Sequence, residues 1–172
     1  MLKTTYIIGK GPSLDNLTLD DFKAQGHILC INDSIKKLQE LKIGAFTVQM
    51  DYEIGEIVNI KQPIVIAKRV WDFGLYRNHK FVCVINTDNG NSFDLDPSCI
   101  TTTLAIKYAQ LHLQTEFIML YCFDALLNGN CEYANCIGYP SDKYHANKQR
   151  FIRQRDEIEK ALGTMPHYWR PP

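Results

Sequence analysis

Excess charge of either sign is missing from this chain: nineteen lysines and arginines balance nineteen aspartates and glutamates. That balance argues against nonspecific nucleic-acid binding and against electrostatic attachment to a membrane, so any anion site must be local. No apolar run approaches the roughly eighteen residues of a membrane span. Residues Met1 to Tyr6 are polar and lack the apolar core of a signal peptide. The expectation is a cytoplasmic chain with no transmembrane segment. Internal repeats and low-complexity linkers are also missing. At 172 residues, against about 150 per domain, residues 1–172 are expected to form a single domain. Such a domain buries its core without disulfides or a structural metal.

A tight Cys-x-x-Cys pair is absent too. Three of the six cysteines lie inside apolar runs, Cys30 in HILCI, Cys83 in FVCVI and Cys122 in IMLYCF. Free cysteine behaves there as a small hydrophobe, and no disulfide framework is expected. Cys122, Cys131, Cys136 and His145 are all zinc-ligand types, but without the knuckle spacing no metal site is assigned.

What is present is an alternation of short apolar runs with helical spacings. Tyr6 to Ile8 reads as a buried strand ending in Gly9-Lys10-Gly11-Pro12-Ser13-Leu14. Thr18 to Asp21 then offers a helix start resembling a capping box. His27 to Ile31 is the next strand; Asn32-Asp33-Ser34 offers N-cap choices for a helix carrying Ile35, Leu38 and Leu41 on one face. Ala45 to Met50, Pro63 to Ala67 and Phe81 to Ile85 read as strands, with Trp71 to Lys80 left unassigned. Ile100, Leu104, Tyr108 and Leu111 fall at helical spacing, Glu116 to Phe123 is a strand, and Ala125 to Asp142 a long loop. A last helix runs from about Lys143 to Leu162, with Phe151, Ile158 and Leu162 inward, and Gly163 stops it. His167-Tyr168-Trp169 either packs a dimer interface in a homo-oligomer or covers the core.

Strands this apolar, alternating with helices, predict an α/β fold: one Rossmann-like domain with a mostly parallel sheet and helices on both faces. Ligands in such sheets bind outside the carboxyl ends of the strands. The residues at those ends are Gly9 to Ser13, Asn32, Asp51, Asn86 to Thr87 and Asp124. Gly9 and Gly11 can bring bare N–H groups to a phosphate, Ser13 a hydroxyl and Lys10 a point charge. The dinucleotide fingerprint would need a third glycine where Leu14 stands, and the Walker pattern is absent. Thr101-Thr102-Thr103 opens a helix and offers a second anion cradle, though plain capping uses the same residues. Asp51 and Asp124 can hold a ribose hydroxyl or a divalent ion; no Asp-x-Asp pair marks a metal-dependent transferase, and Asp94-Leu95-Asp96 has that spacing only.

Ile8-Gly9-Lys10-Gly11-Pro12-Ser13-Leu14 resembles the G-N-G-P-S-L loop of family 42 sialyltransferases, motility-accessory-factor glycosyltransferases and the archaeal 6-hydroxymethylpterin diphosphokinases grouped with them as DUF115 proteins. Lys10 stands where the family has Asn. Cys30-Ile31-Asn32, Gln49-Met50-Asp51, Ser98 to Leu104 and Ile118 to Asp124 resemble, in matching order, the family's nucleotide-contacting strand ends and Ser/Thr-rich helix start. The resemblance spans about Tyr6 to Asp124, with an extension to Tyr144-His145. It implies a nucleotide site of Gly9, Lys10, Gly11, Pro12, Ser13, Asn32, Asp33, Asp51, Thr101, Thr102, Thr103 and Asp124. It also implies His145 as the base activating an acceptor hydroxyl, with Tyr144 and Tyr139 on the departing phosphate. An imidazole titrating near neutrality suits that role, and Lys143, Lys148 and Arg150 lie close by in sequence.

Three functions follow as expectations. The first is a small glycosyltransferase-like enzyme that moves sugar from a nucleotide donor to a hydroxyl and needs no further cofactor. The second is a diphosphokinase-type pyrophosphoryl transferase, which would need Mg²⁺. The third is a non-catalytic protein that sequesters a nucleotide.

Overall fold

The computed structural model describes residues 3–22, 25–50, 60, 62–74, 76–88, 100–129, 132–138 and 148–171, with backbone alone for 148–151. Seven strands form one sheet: β1 (Thr4–Ile8), β2 (Gly26–Ile31), β3 (Phe46–Gln49), β4 (Ile64–Ala67), β5 (Val82–Ile85), β6 (Phe117–Tyr121) and β7 (His167–Trp169). Their order is β5-β4-β3-β2-β1-β6-β7, and every pairing is parallel. The α/β fold expected from the apolar runs is the fold observed.

The helices are α1 (Ile35–Glu40), α2 (Lys68–Asp72), α3 (Thr101–His112), α4 (Asp124–Leu127) and α5 (Lys148–Leu162). Crossovers in the two directions away from β1 must each be right-handed, which assigns α1 and α3 to opposite faces. In keeping with that, α3 packs on β1, β2 and β3 and against α5, while α1 meets the turn at Asn135–Ile137. The central strand β1 buries both faces: Tyr6, Ile7 and Ile8 are all within 2% of full burial, which only a sheet covered on both sides permits.

Several local expectations need correcting. The capping residues at Thr18 do form, with the Thr18 N–H and hydroxyl both donating to Asp21 Oδ2 at 2.7 and 3.1 Å. Yet they start only a single 3-10 turn, Leu19–Phe22, which buries no side chain. Phe22 alone packs on the core, against Tyr6 and Tyr121, while Leu19 is exposed, so no apolar stripe is there to extend the turn. The Trp71 to Lys80 stretch begins within α2, and the loop after Asp124 contains α4 and the Asn135–Ile137 turn. Leu104 and Tyr108 point inward as spaced, but Leu111 is exposed; α3 ends one residue on, at His112, and Gln114 takes a left-handed φ of 51° to turn the chain into β6. His167 to Trp169 form the edge strand β7 beside β6, and Trp169 packs against the core. In α5, Ile158 and Leu162 are buried as expected; the side chain of Phe151 and residues Lys143 to Asn147 lie outside the described residues.

Candidate functional site

β1 lies where the strand order reverses, since the chain builds outward from it to β5 and then returns to β6 on its other side. That is the topological switch point, where ligands of open parallel sheets bind. The glycine loop leaves β1 here and Asp124 leaves β6. Between them the structure shows a closed set of bonds. The Gly9 N–H donates to the Tyr121 carbonyl and the Gly11 N–H to the Cys122 carbonyl, each at 2.8 Å. Ser13 donates from its hydroxyl to Asp124 Oδ2 at 2.8 Å, and its N–H reaches both carboxylate oxygens at 3.3 and 3.4 Å. Pro12 has no N–H to offer.

The N–H groups of Gly9 and Gly11, expected from the sequence to be bare, are therefore committed, and so is the Ser13 hydroxyl expected to meet a phosphate. The glycines are needed for approach instead: a Cβ on Gly9 would strike the Cys122 carbonyl oxygen, and one on Gly11 would strike the Asp124 carboxylate. Asp124, 3% exposed, is first of all the strut that holds this loop. Cys122 sits on the strand end in a left-handed conformation, φ 62°. Burial pushes its thiol up to about 12, against an opposing bond from Ser13, and burial pushes Cys30 higher still. Both are inert apolar fillers at neutral pH, as their sequence context predicts.

A strap of residues 132–138 crosses the loop. The Ala134 N–H donates to the Lys10 carbonyl at 3.0 Å, and Asp15 accepts the N–H groups of Asn135 and Cys136 at 2.7 and 2.9 Å. Lys36 Nζ donates to the Ile137 carbonyl at 2.9 Å. The Lys10 ammonium lies 4.8 Å from the Tyr133 ring centroid, a cation–π contact.

Open hydrogen-bonding capacity sits one strand over. Asn32 ends β2 at φ 50°, is 4% exposed, and its Oδ1 has no partner. Gln49 ends β3 fully buried, with neither its Oε1 nor its Nε2 bonded. Because β2 and β3 pair Cys30 with Thr47 and Ile31 with Val48, Asn32, the first residue beyond β2, and Gln49, the last of β3, lie at the same end of the sheet. The Tyr76 hydroxyl, from the turn after α2, is also buried and unpartnered. Gln49 and Asp33 lie near enough to influence its ionisation, yet no atom pair between them reaches hydrogen-bond geometry. Three orphaned polar groups in one end of a sheet are unusual, because a buried polar atom without a partner costs about 1–3 kcal/mol. Backbone geometry adds to it: a non-glycine residue at positive φ is uncommon, and such outliers gather at ligand sites.

The remaining candidates are placed as follows. Asp33 is buried beside Asn32, 4.0 Å from Lys36 Nζ. The Ser34 hydroxyl donates to the Ile8 carbonyl at 2.9 Å, tying this turn to the end of β1. Thr101, Thr102 and Thr103 open α3 and are buried; the Thr103 hydroxyl donates to the Ile100 carbonyl at 2.7 Å. The structure thus brings the glycine loop, Asn32, Asp33 and Asp124 to one edge. Asp51, Tyr139, Tyr144 and His145 lie outside the described residues. Gln49 and Tyr76 were missed by sequence reasoning: Gln49 stood in the quoted Gln49-Met50-Asp51 stretch, where the carboxylate drew the assignment. Nothing in the sequence marks Tyr76. Among the described residues no group of three or more His, Cys, Asp or Glu could hold a metal ion, and no helix is long and apolar enough to cross a membrane.

No protein-family model matches the sequence, and no curated protein matches it. Solved structures do. The chain is similar over its whole length to a MAf glycosyltransferase from Magnetospirillum magneticum AMB-1, with a TM-score of 0.63 and 15% identity, covering 34% of that chain. A protein from Lactobacillus plantarum aligns over 69% of this chain and 43% of its own, with 18% identity and a TM-score of 0.38. The chain spans about a third of the length of the glycosyltransferase, and at this identity the likeness is one of fold.

Proposed function

We propose that the chain is a glycosyltransferase-like protein that binds a nucleotide-activated sugar across the carboxyl ends of β1, β2 and β3. Asn32 is the observation that carries the reading: a buried amide in a left-handed conformation, with an orphaned oxygen, at the end of the strand beside the switch point. The Gly9 to Leu14 loop and the fold shared with a glycosyltransferase support it. With the loop's N–H groups committed to β6 and Asp124, the donor's phosphate charge falls to Lys10 and the start of α3. Transfer to an acceptor hydroxyl uses His145 as base and Tyr144 on the leaving phosphate.

Thermal unfolding with CMP, UMP, UDP, GDP, ADP, ATP and their sugar conjugates, each with and without Mg²⁺, tests this reading. One nucleotide family should stabilise the protein by about 2.7 kcal/mol at a hundred times its Kd. Asn32→Gly should abolish that shift while leaving the unliganded protein within about 1 kcal/mol of wild type, since glycine relieves the left-handed strain but loosens the unfolded chain. His145→Ala should keep the shift and lower transfer roughly 10²-fold or more. If transfer proceeds only with Mg²⁺ and delivers pyrophosphate, the diphosphokinase reading replaces this one; a panel without any shift removes the nucleotide altogether.

A further inference from the structure

Tyr76 occupies a position for which the fold alone gives no reason. Its φ is +61°, a left-handed conformation that bulky L-residues avoid. Its ring is braced edge-on by His79, with centroids 6.5 Å apart and planes at 85°. His79 is itself fixed at both nitrogens. Its Nδ1 accepts the Phe81 N–H at 3.2 Å, so Nε2 carries the proton and donates to the Ile60 carbonyl at 2.9 Å. A strained backbone and a tethered neighbour thus hold the phenol in one place. The hydroxyl it delivers is buried and bonded to nothing. A phenylalanine would fill the same volume without an unmet polar atom, so packing does not account for the tyrosine.

The chemistry of the surroundings narrows what the hydroxyl meets. Burial holds its pKa above the ordinary phenol value, reinforced by the nearby Asp33 charge and opposed by Gln49, so the group is a neutral donor and acceptor. Gln49 presents an amide NH2 donor group and a carbonyl acceptor, both without a partner, and Asn32 an unpartnered carbonyl acceptor. None of these three carries a charge. Such a set is matched to an uncharged moiety with alternating donors and acceptors, either the edge of a heterocyclic base or a ribose diol, and poorly matched to a phosphate.

We propose that Tyr76 is a ligand-binding residue whose hydroxyl, with the Gln49 amide, holds the nucleoside portion of the bound nucleotide; the proposal rests on the nucleotide reading above. Calorimetric titration of wild type and Tyr76→Phe with nucleosides, nucleoside monophosphates and inorganic phosphate tests it, alongside unfolding temperatures without ligand. Tyr76→Phe should unfold at or above the wild-type temperature, lose about tenfold in affinity for both nucleoside and nucleotide, and bind inorganic phosphate as wild type does. Repeating the titration with 2′,3′-dideoxynucleosides separates the two sources: a loss that persists places the hydroxyl on the base, and one that vanishes places it on the ribose diol. Undiminished nucleotide affinity in Tyr76→Phe overturns the proposal and leaves the nucleotide reading standing. A fall of several degrees in unfolding temperature also overturns it, since the hydroxyl would then be serving the fold. Wild-type protein that binds neither nucleoside nor nucleotide overturns the nucleotide reading itself, and the proposal with it.

Discussion

Ser13 and Asp124 are 111 residues apart in sequence and 2.8 Å apart in space. Their bond changes what the glycine loop means. Gly11 is a glycine because a side chain there would enter the Asp124 carboxylate, so Gly11→Ala should destabilise the fold by about 1–3 kcal/mol. In an Asp124→Ala background the same substitution should cost clearly less, and a double-mutant cycle on denaturant unfolding measures the difference; strict additivity would show that the clash is relieved elsewhere. Sequence reading found the loop, Asn32 and Asp124 as polar groups at strand ends, because apolar runs announce where strands stop. It could not see that the loop's donors face inward, since that depends on which strand lies beside β1. Nor could it find Tyr76, whose placement depends on a φ angle and on His79.

At the scale of elements, the strap over the loop hangs largely on one carboxylate. Burial alone would raise the Asp15 pKa, but the N–H groups of Cys136 and Asn135, with side-chain bonds from the same residues, outweigh it and hold the group below its ordinary 3.8. A carboxylate depressed in the folded state contributes stability that is present above its unfolded pKa and is lost as pH falls through the folded value. Unfolding free energy followed from pH ~6 to ~2 should therefore fall less steeply in Asp15→Asn than in wild type. Asp21 is also held low, by Thr18 and Arg170 against its own burial, and contributes acid sensitivity of its own in both proteins; identical acid limbs would mean the strap stays docked without the charge. The strap was read from sequence as plain loop, for its Asn135–Ile137 turn spans three residues, too few to set a period. β7 escaped for the same reason, and its identity as a strand comes only from pairing with β6.

Across the whole molecule, strand content and parallel character were legible because strands buried on both faces are apolar throughout. Strand order was not, because it is fixed by pairings between distant residues. The largest of these is β1 with β6, Thr4 with Phe117 through Ile8 with Tyr121. During synthesis that edge of β1 waits, unpaired, until more than a hundred further residues have emerged. Contacts of such sequence separation form slowly, and an open strand edge is exposed to aggregation until they do. The Gly9 and Gly11 amides bond only to the chain leaving β6. In pulse-labelled refolding they should become protected from exchange after the amides joining β2 to β3, and protection at equal rates would show that β6 docks early. The glycine-loop half of the candidate site is thus among the last parts of the molecule to exist, and a nascent chain stalled before β6 would carry Asn32, Gln49 and Tyr76 without it.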